Sequence, residues 1–270
     1  MKKIIALVLA LTLALSLTAC GGNQAAEDDK TIKVGATPAP HAAILEQAKE
    51  LLAAEGYTLV IQEFDDYILP NTALNEKELD ANYFQHITYM NNFNEEYGIN
   101  MVSAAGIHYE PFGIYAGKSA DLTALPDGAQ IAVPNDATNE ARALLLLEQE
   151  GLITLKEGVG LAATKADVAE NPHNFEIVET EAKLLTSVLQ DVDVAVINGN
   201  YAIDAGLKVS EALAIEAADG AAAEAYVNVI AVNAGDESSE KIQALVKALK
   251  SAEIKDYITE TYEGAVVTVD

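Results

Sequence analysis

Cysteine is almost absent from this chain of 270 residues, because Cys20 is the only one. A single thiol allows no internal disulfide bond and no cysteine-rich metal site. Four histidines occur without the spacing of a metal-binding or catalytic motif, namely His41, His86, His108 and His173. Nor does a second long apolar run follow the N-terminal one, so no further membrane span is expected. These absences argue against an enzyme and against a bound metal or cofactor.

Positive charge is also scarce. Lys and Arg together number 16 against 42 Asp and Glu, which gives a formal net charge of −26. Such a chain repels nucleic acid and anionic lipid head groups. Only one of its cations is an arginine, Arg142. A guanidinium differs from an ammonium group because its planar fork can hold a carboxylate through two hydrogen bonds.

The N-terminus has the pattern of an export signal. Two lysines follow Met1, and an apolar run then extends to Ala19, which is too short for a comfortable membrane span. The residues Leu-Thr-Ala-Cys ending at Cys20 fit the bacterial lipobox, in which the cysteine thiol takes a diacylglycerol and the chain is cut before it. An ordinary signal peptide that happens to contain a cysteine is the alternative. We expect a signal peptide over residues 1–19, a lipid-anchored flexible tether over 20–30, and a location at the cell membrane, facing away from the cytoplasm.

Beyond residue 30, strand-like and helix-like segments alternate. This alternation predicts an α/β fold with a mostly parallel sheet. The predicted strands are 31–37, 57–64, 100–106, 130–135, 175–179, 192–198 and 226–233. The predicted helices are 41–56, most of 71–97, 138–151, 181–190 and 238–262. The Ala- and Glu-rich stretch 211–225 is interpreted as a surface segment.

Arg142 lies near the start of a predicted helix. Asn135, Asp136 and Thr138 are residue types that cap helix N-termini, so we expect the helix to begin near Thr138. A cation in the first or second turn opposes the helix dipole, which makes sense if an anion binds there. A surface arginine paired with Glu140 or another nearby acid explains the pattern equally well.

Two other segments contain candidate binding residues. Asn200 follows a predicted strand, at the edge of a sheet where ligands often bind, although Asn-Gly pairs also form simple turns. In residues 78–93, Phe84 and His86 are two positions apart and cannot share one helix face. Either one of them is structural, or the helix begins after them.

Five blocks of sequence together resemble the NlpA lipoprotein family, the substrate-binding lipoproteins of methionine ABC importers. They are LDANYFQHITYM, EPFGIY, PNDATNEARALLLLEQEGLITLK, DVDVAVINGNYAIDAGL and GAVV, in this order over about residues 31–270. The resemblance implies a two-lobed type II periplasmic-binding-protein fold with the ligand between the lobes. It also implies crossovers near Pro111–Tyr115 and Val232–Gly235. Lobe one would then be residues 31–112 and 234–270, and lobe two residues 113–233.

The resemblance also implies the ligand contacts. Arg142 would hold the methionine carboxylate, and Asn200 and Asn228 would bind its amino and carboxylate groups. The side-chain pocket would be formed by Tyr67, Phe84, His86 and Tyr89, with Asn139 as a weaker candidate. Aromatic rings suit a thioether because sulfur–aromatic contacts add about 0.3–1.5 kcal/mol. The chain departs from the family pattern at Ala141, commonly Gly, and at Ile87-Thr88, often a basic residue followed by Pro.

The resulting expectation is a monomeric, lipid-anchored protein that closes its lobes around L-methionine and delivers it to an ABC permease. No nucleic acid, cofactor or metal is expected to take part. Two alternatives stay open. The ligand could be another small amino acid, D-methionine or a short peptide, or the chain could be a structural or adhesive surface lipoprotein without a transport role.

Overall fold

The structure is a computed structural model that describes residues 30–217 and 224–269. The expected signal peptide, Cys20 and all of the expected tether except Lys30 lie outside the described residues. Among those that are described, no helix combines the length and apolar character needed to cross a membrane.

Strands and helices alternate along the described chain. The strands are β1 (Thr31–Ala36), β2 (Thr58–Glu63), β3 (Ala81–His86), β4 (Met101–Tyr109), β5 (Gly113–Ala116), β6 (Gln130–Pro134), β7 (Thr154–Leu155), β8 (Val168–Glu170), β9 (Glu176–Thr180), β10 (Val194–Ile197), β11 (Ala214–Ile215), β12 (Val227–Asn233) and β13 (Val267–Thr268). The α-helices are α1 (Ala43–Ala54), α2 (Leu69–Asn75), α3 (Ile87–Tyr97), α4 (Ala137–Gln149), α5 (Leu185–Val188), α6 (Gly199–Asp204), α7 (Glu240–Leu249) and α8 (Ala252–Tyr262).

Two mixed sheets define two lobes. Lobe one contains six strands in the order β13-β4-β12-β3-β1-β2, in which β1 is parallel to β2 and β3, whereas β12 is antiparallel to β3 and β4. Lobe two contains five strands in the order β11-β5-β10-β6-β9, with β6 parallel to β9 and β10. The α/β class agrees with the sequence prediction, although antiparallel pairs make both sheets mixed rather than mostly parallel.

Each lobe has a hydrophobic core of its own. Ile44 and Leu45 of α1 are fully buried against Leu245 of α7 and the sheet of lobe one. Leu144 and Leu147 of α4 are fully buried in the core of lobe two. Burying one such side chain stabilises the fold by about 1.5–3 kcal/mol relative to leaving it exposed. The two cores therefore give the cleft between the lobes rigid walls.

The predicted lobe boundaries need one correction. The chain first crosses between the lobes from β4 of lobe one, which ends at Tyr109, to β5 of lobe two, which begins at Gly113. The expected return near Val232–Gly235 is wrong, since β12 already belongs to lobe one, between β3 and β4. The chain leaves lobe two after Ile215 and is back in lobe one at Val227. Lobe two therefore ends before β12 and not at residue 233.

Two helix predictions were also too long. The segment 71–97 contains α2, then β3, then α3, so its middle is a strand buried on both faces. Helix α3 begins at Ile87, directly after His86, and ends at Tyr97. Gly98 follows as its C-cap, in a left-handed backbone conformation (φ 65°) that suits glycine. The segment 238–262 is divided into α7 and α8 at Ser251, whose hydroxyl accepts the Ile254 N–H.

Candidate ligand-binding site

A cavity with about 340 Å³ of empty space, open solvent at its mouth included, lies between the two lobes. All eight residues that the sequence suggested line it, namely Tyr67, Phe84, His86, Tyr89, Asn139, Arg142, Asn200 and Asn228. Four further lining residues were not singled out as contacts: Gln85, Glu110, Asn198 and Gly199.

Aromatic rings form one wall of the cavity. Phe84 lies within β3, two residues before its end, and Tyr89 is in the first turn of α3, so the strand-to-helix junction brings them together. The ring centre of Tyr67 lies 5.8 Å from that of Phe84 and 5.7 Å from that of Tyr89. These contacts create an apolar surface that suits a flexible apolar side chain.

His86 is a neutral hydrogen-bonding group at the same junction. Its Nδ1 accepts the Tyr89 N–H at 3.0 Å and so caps α3. Its Nε2 then donates to Asn139 Oδ1 at 3.2 Å. Burial, together with the charge of Arg142, lowers the pKa of His86 to about 3, so the imidazole is uncharged near neutral pH. Asn139 also binds both carboxylate oxygens of Asp136, so its amide is held in place by protein neighbours.

Arg142 lies in the second turn of α4, after the N-cap residue Asp136. Its side chain is 4% exposed and pairs with Glu216. Nε lies 3.0 Å and 3.1 Å from the two carboxylate oxygens, and Nη2 lies 2.6 Å from Oε2 and 2.8 Å from the Glu110 carbonyl oxygen. The guanidinium carbon is also 4.1 Å from the ring centre of Tyr226. Among the described residues, no hydrogen bond involves Nη1, so this edge of the fork is available to a ligand in the cavity.

The structure decides against the alternative of a surface arginine paired with Glu140. Arg142 is buried, and Glu140 instead accepts the Lys165 N–H at 2.8 Å. The interpretation of the Ala- and Glu-rich stretch as only a surface segment is wrong, since Glu216 within it is 8% exposed and binds Arg142. The described part of that stretch carries no sequence signal for this pairing, because the two residues are 74 positions apart.

Asparagine side chains supply most of the neutral polar groups of the cavity. Asn200 lies at the start of α6 rather than in a simple turn, and its Oδ1 accepts the Tyr67 hydroxyl at 2.5 Å. Asn228 in β12 accepts His41 Nε2 at 3.0 Å. Asn198 donates from Nδ2 to Asn139 at 2.8 Å, whereas its buried Oδ1 has no hydrogen-bond partner among the residues that the structure describes.

A carboxylate and two imidazoles lie close together at the wall of the cavity. Glu110 accepts His108 Nε2 at 2.7 Å, and His41 Nε2 lies 3.3 Å from the same oxygen. The three ligand atoms lie within 4.8 Å of one another, so by distance the group could hold a metal ion. Sequence spacing gave no sign of it, since the fold alone brings His41 next to His108. Burial raises the pKa of Glu110 and lowers that of both histidines.

Tyrosines join the lobes across the mouth of the cleft. Tyr67 of lobe one donates to Asn200 of lobe two, and Tyr201 of lobe two donates to the Asp65 carbonyl oxygen of lobe one at 3.0 Å. The two rings stack with centres 5.0 Å apart. The lobes are therefore closed over the cavity by a reciprocal pair of contacts.

Residues 32–269 match the family model described as NlpA lipoprotein. The chain belongs to the NlpA lipoprotein family. A methionine-binding lipoprotein MetQ from Bacillus subtilis is 42% identical over 275 residues, which cover 100% of this chain and 99% of the relative. A D-methionine-binding lipoprotein MetQ from Salmonella typhimurium is 38% identical, with 98% and 97% covered.

A solved structure of another protein has the same fold as this NlpA-family chain. A nutrient binding protein from Burkholderia cenocepacia, solved with methionine bound, superposes with a TM-score of 0.85 at 41% identity. The match covers 88% of this chain and 100% of that one. The two-lobed periplasmic-binding-protein fold expected for an NlpA family member is thereby confirmed.

Proposed function

We propose that this chain captures L-methionine in the cavity between its lobes and delivers it to the permease of an ABC importer. The observation that carries the proposal is the combination, in one buried cavity, of a single guanidinium with a free Nη1 edge and an aromatic wall. A zwitterion with an apolar thioether side chain matches both. The names of the relatives, which describe methionine-binding lipoproteins, support the same ligand.

In this proposal each side of the ligand has its own partners. The carboxylate binds Arg142, assisted by the amides of Asn200 and Asn228. The thioether lies against Tyr67, Phe84 and Tyr89, where sulfur–aromatic contacts add about 0.3–1.5 kcal/mol. His86 and Asn139 lie beside these groups and fix the shape of the pocket. All of this is binding without bond chemistry, so the chain acts as a non-enzymatic capture protein.

Calorimetry against a panel of amino acids tests the ligand. We expect L-methionine to bind more tightly than leucine, norleucine, D-methionine and a Gly-Met dipeptide. Ligand at 100 times its Kd should stabilise the fold by about 2.7 kcal/mol, visible as a rise in Tm. Tighter binding of another member of the panel would change the ligand, and no response to any of them would favour a structural or adhesive surface lipoprotein.

We also propose that Cys20 carries the lipid that holds the protein at the outer face of the cell membrane. The support is the lipobox at residues 17–20 together with the lipoprotein names of the relatives. Mass spectrometry of the protein purified from its host should find an acylated N-terminal Cys20, and Cys20→Ala should move the protein out of the membrane fraction. A mature chain beginning elsewhere, without lipid, would contradict the anchor.

A further inference from the structure

Glu110 is a buried acidic group on the cavity wall; burial raises its pKa, and the groups that donate hydrogen bonds to it carry no charge. His108 Nε2 donates to it at 2.7 Å, and the backbone N–H of Asn200 donates as well. The guanidinium of Arg142 reaches the Glu110 carbonyl oxygen but is paired through its charge with Glu216. Arg142 and Glu216 therefore balance each other, and among the described residues Glu110 has no close cation of its own to hold it ionised.

The imidazoles beside Glu110 are neutral because of the bonds they make. Tyr83 binds His108 at Nδ1, and the Thr37 hydroxyl lies 2.7 Å from His41 Nδ1. When a hydroxyl donates to Nδ1, the hydrogen of a neutral imidazole is on Nε2, the atom that faces an acceptor in both cases. Burial lowers the pKa of His41 to about 4 and that of His108 to about 3. Neither ring therefore supplies the positive charge that Glu110 lacks near neutral pH.

A second acceptor, Asn198 Oδ1, lines the same cavity. Asn198 is 6% exposed, and within the described part of the chain its Oδ1 has no hydrogen-bond partner. Leaving a buried polar atom unpaired is costly, and a bound molecule that donates to it is one explanation for such an atom in a native protein. Gly199 directly follows Asn198 and lies against Glu110 in space, because an added Cβ there would come within 2.8 Å of Glu110 Oε2. The absence of a side chain there keeps the carboxylate close to the backbone at the start of α6.

We infer that Glu110 and Asn198 Oδ1 bind the α-ammonium group of the ligand, so that the site selects molecules with a free amino group beside the carboxylate. This inference rests on the proposed function and adds a role for two residues that the sequence did not suggest. A cation in hydrogen-bond contact with Glu110 would supply the missing charge, and an ammonium hydrogen would satisfy Asn198. The carboxylate of the same ligand would lie at the free edge of Arg142. The cavity thus matches the charge separation of an α-amino acid.

A matched pair of ligands tests this directly. L-Methionine and 2-hydroxy-4-(methylthio)butanoate share the carboxylate and the thioether and differ in the ammonium group. Calorimetry with the native protein, in EDTA, should show methionine binding at least about 100-fold more tightly, because a site built for a donor rejects an analogue that lacks it. This comparison needs no variant and is independent of any folding defect.

The variant Glu110→Gln separates charge recognition from a structural role. We expect it to weaken methionine binding by about 30-fold or more and to leave the hydroxy acid unchanged or tighter, so the preference falls below about tenfold. Glu140→Gln is the matched control, because Glu140 is a buried carboxylate that accepts a backbone N–H away from the cavity. It should keep the native preference.

Four outcomes would overturn the inference. Equal weakening of both ligands in Glu110→Gln would mean that Glu110 only supports the fold. Similar affinities of the native protein for both ligands would mean that the ammonium is not recognised. Loss of methionine binding in EDTA and its return with Zn²⁺ would mean that Glu110 and the two imidazoles hold a metal ion instead. If the native protein binds neither ligand with or without EDTA, the proposed function itself fails, and this inference with it.

Discussion

Replacing Arg142 with Lys is expected to weaken methionine binding by about tenfold or more, which corresponds to about 1.4 kcal/mol. In the native chain Nε and Nη2 bind Glu216. In the proposed complex the ligand carboxylate would bind the remaining Nη1 edge, so the guanidinium would hold two carboxylates at once. A lysine ammonium is a single point on a flexible stem, so Glu216 and the ligand would compete for it. Calorimetry measures the change in Kd.

The control for this exchange has to be a Lys→Arg substitution, because the chain has only one arginine and no second Arg→Lys exchange is possible. Lys156→Arg is suitable, since Lys156 is on the exposed surface of lobe two and pairs with Asp167 at 3.1 Å. It should bind methionine as the parent does. The Tm of both variants without ligand shows whether either exchange harms the fold. Parental affinity in a well-folded Arg142→Lys variant would show that Arg142 does not hold the carboxylate.

Replacing Glu216 with Ala is expected to lower the free energy of unfolding by about 3–5 kcal/mol. This is the typical cost of removing one partner of a buried ion pair, because the other charge is left buried and unpaired. Glu216 also accepts the Tyr109 hydroxyl, and its Oε2 lies 3.5 Å from the Phe112 amide nitrogen. One carboxylate thus joins the end of β4, the first crossover and helix α4. Urea denaturation measures the loss.

Two variants set the scale for that measurement. Glu216→Gln keeps an acceptor oxygen and similar volume, so it should cost less than Glu216→Ala. Glu140→Ala removes an equally buried carboxylate that bonds to a backbone N–H instead of to a guanidinium, and it should cost about 1–3 kcal/mol. If the unfolding free energy of Glu216→Ala stays within about 1 kcal/mol of the parent value, the buried Arg142 charge does not depend on Glu216 for its stabilisation.

Local sequence signals predicted the parts of the site that depend on neighbours along the chain. Asp136 caps α4 through a bond to the Asn139 N–H, as its position before an apolar stripe suggested. The conflict between Phe84 and His86 was resolved by a helix that begins at Ile87, which was one of the two possibilities the spacing allowed. The resemblance to a family added the lining residues that are far apart in sequence.

What the sequence could not predict depends on contacts across the fold. Strand β3 is buried on both faces, so it lacks the alternation that distinguishes a strand from a helix. The apolar sequence of strand β12 would fit the core of either sheet, so it does not show which lobe the strand joins. The lobe boundary was therefore misplaced. Glu216 is one of 42 acidic residues, and nothing in its local sequence marks it as the one that is buried against Arg142.

The reciprocal bonds of Tyr67 and Tyr201 have a consequence for the rate at which the protein loads. They join protein atoms only, so they are available whether or not methionine is present. At about 1 kcal/mol each they favour the shut form by about 30-fold. An empty protein then spends much of its time shut, and methionine enters only during brief openings. In the proposed transport role, the shape of the closed protein would not distinguish an empty chain from a loaded one. A permease would then have to respond to how long the protein stays closed.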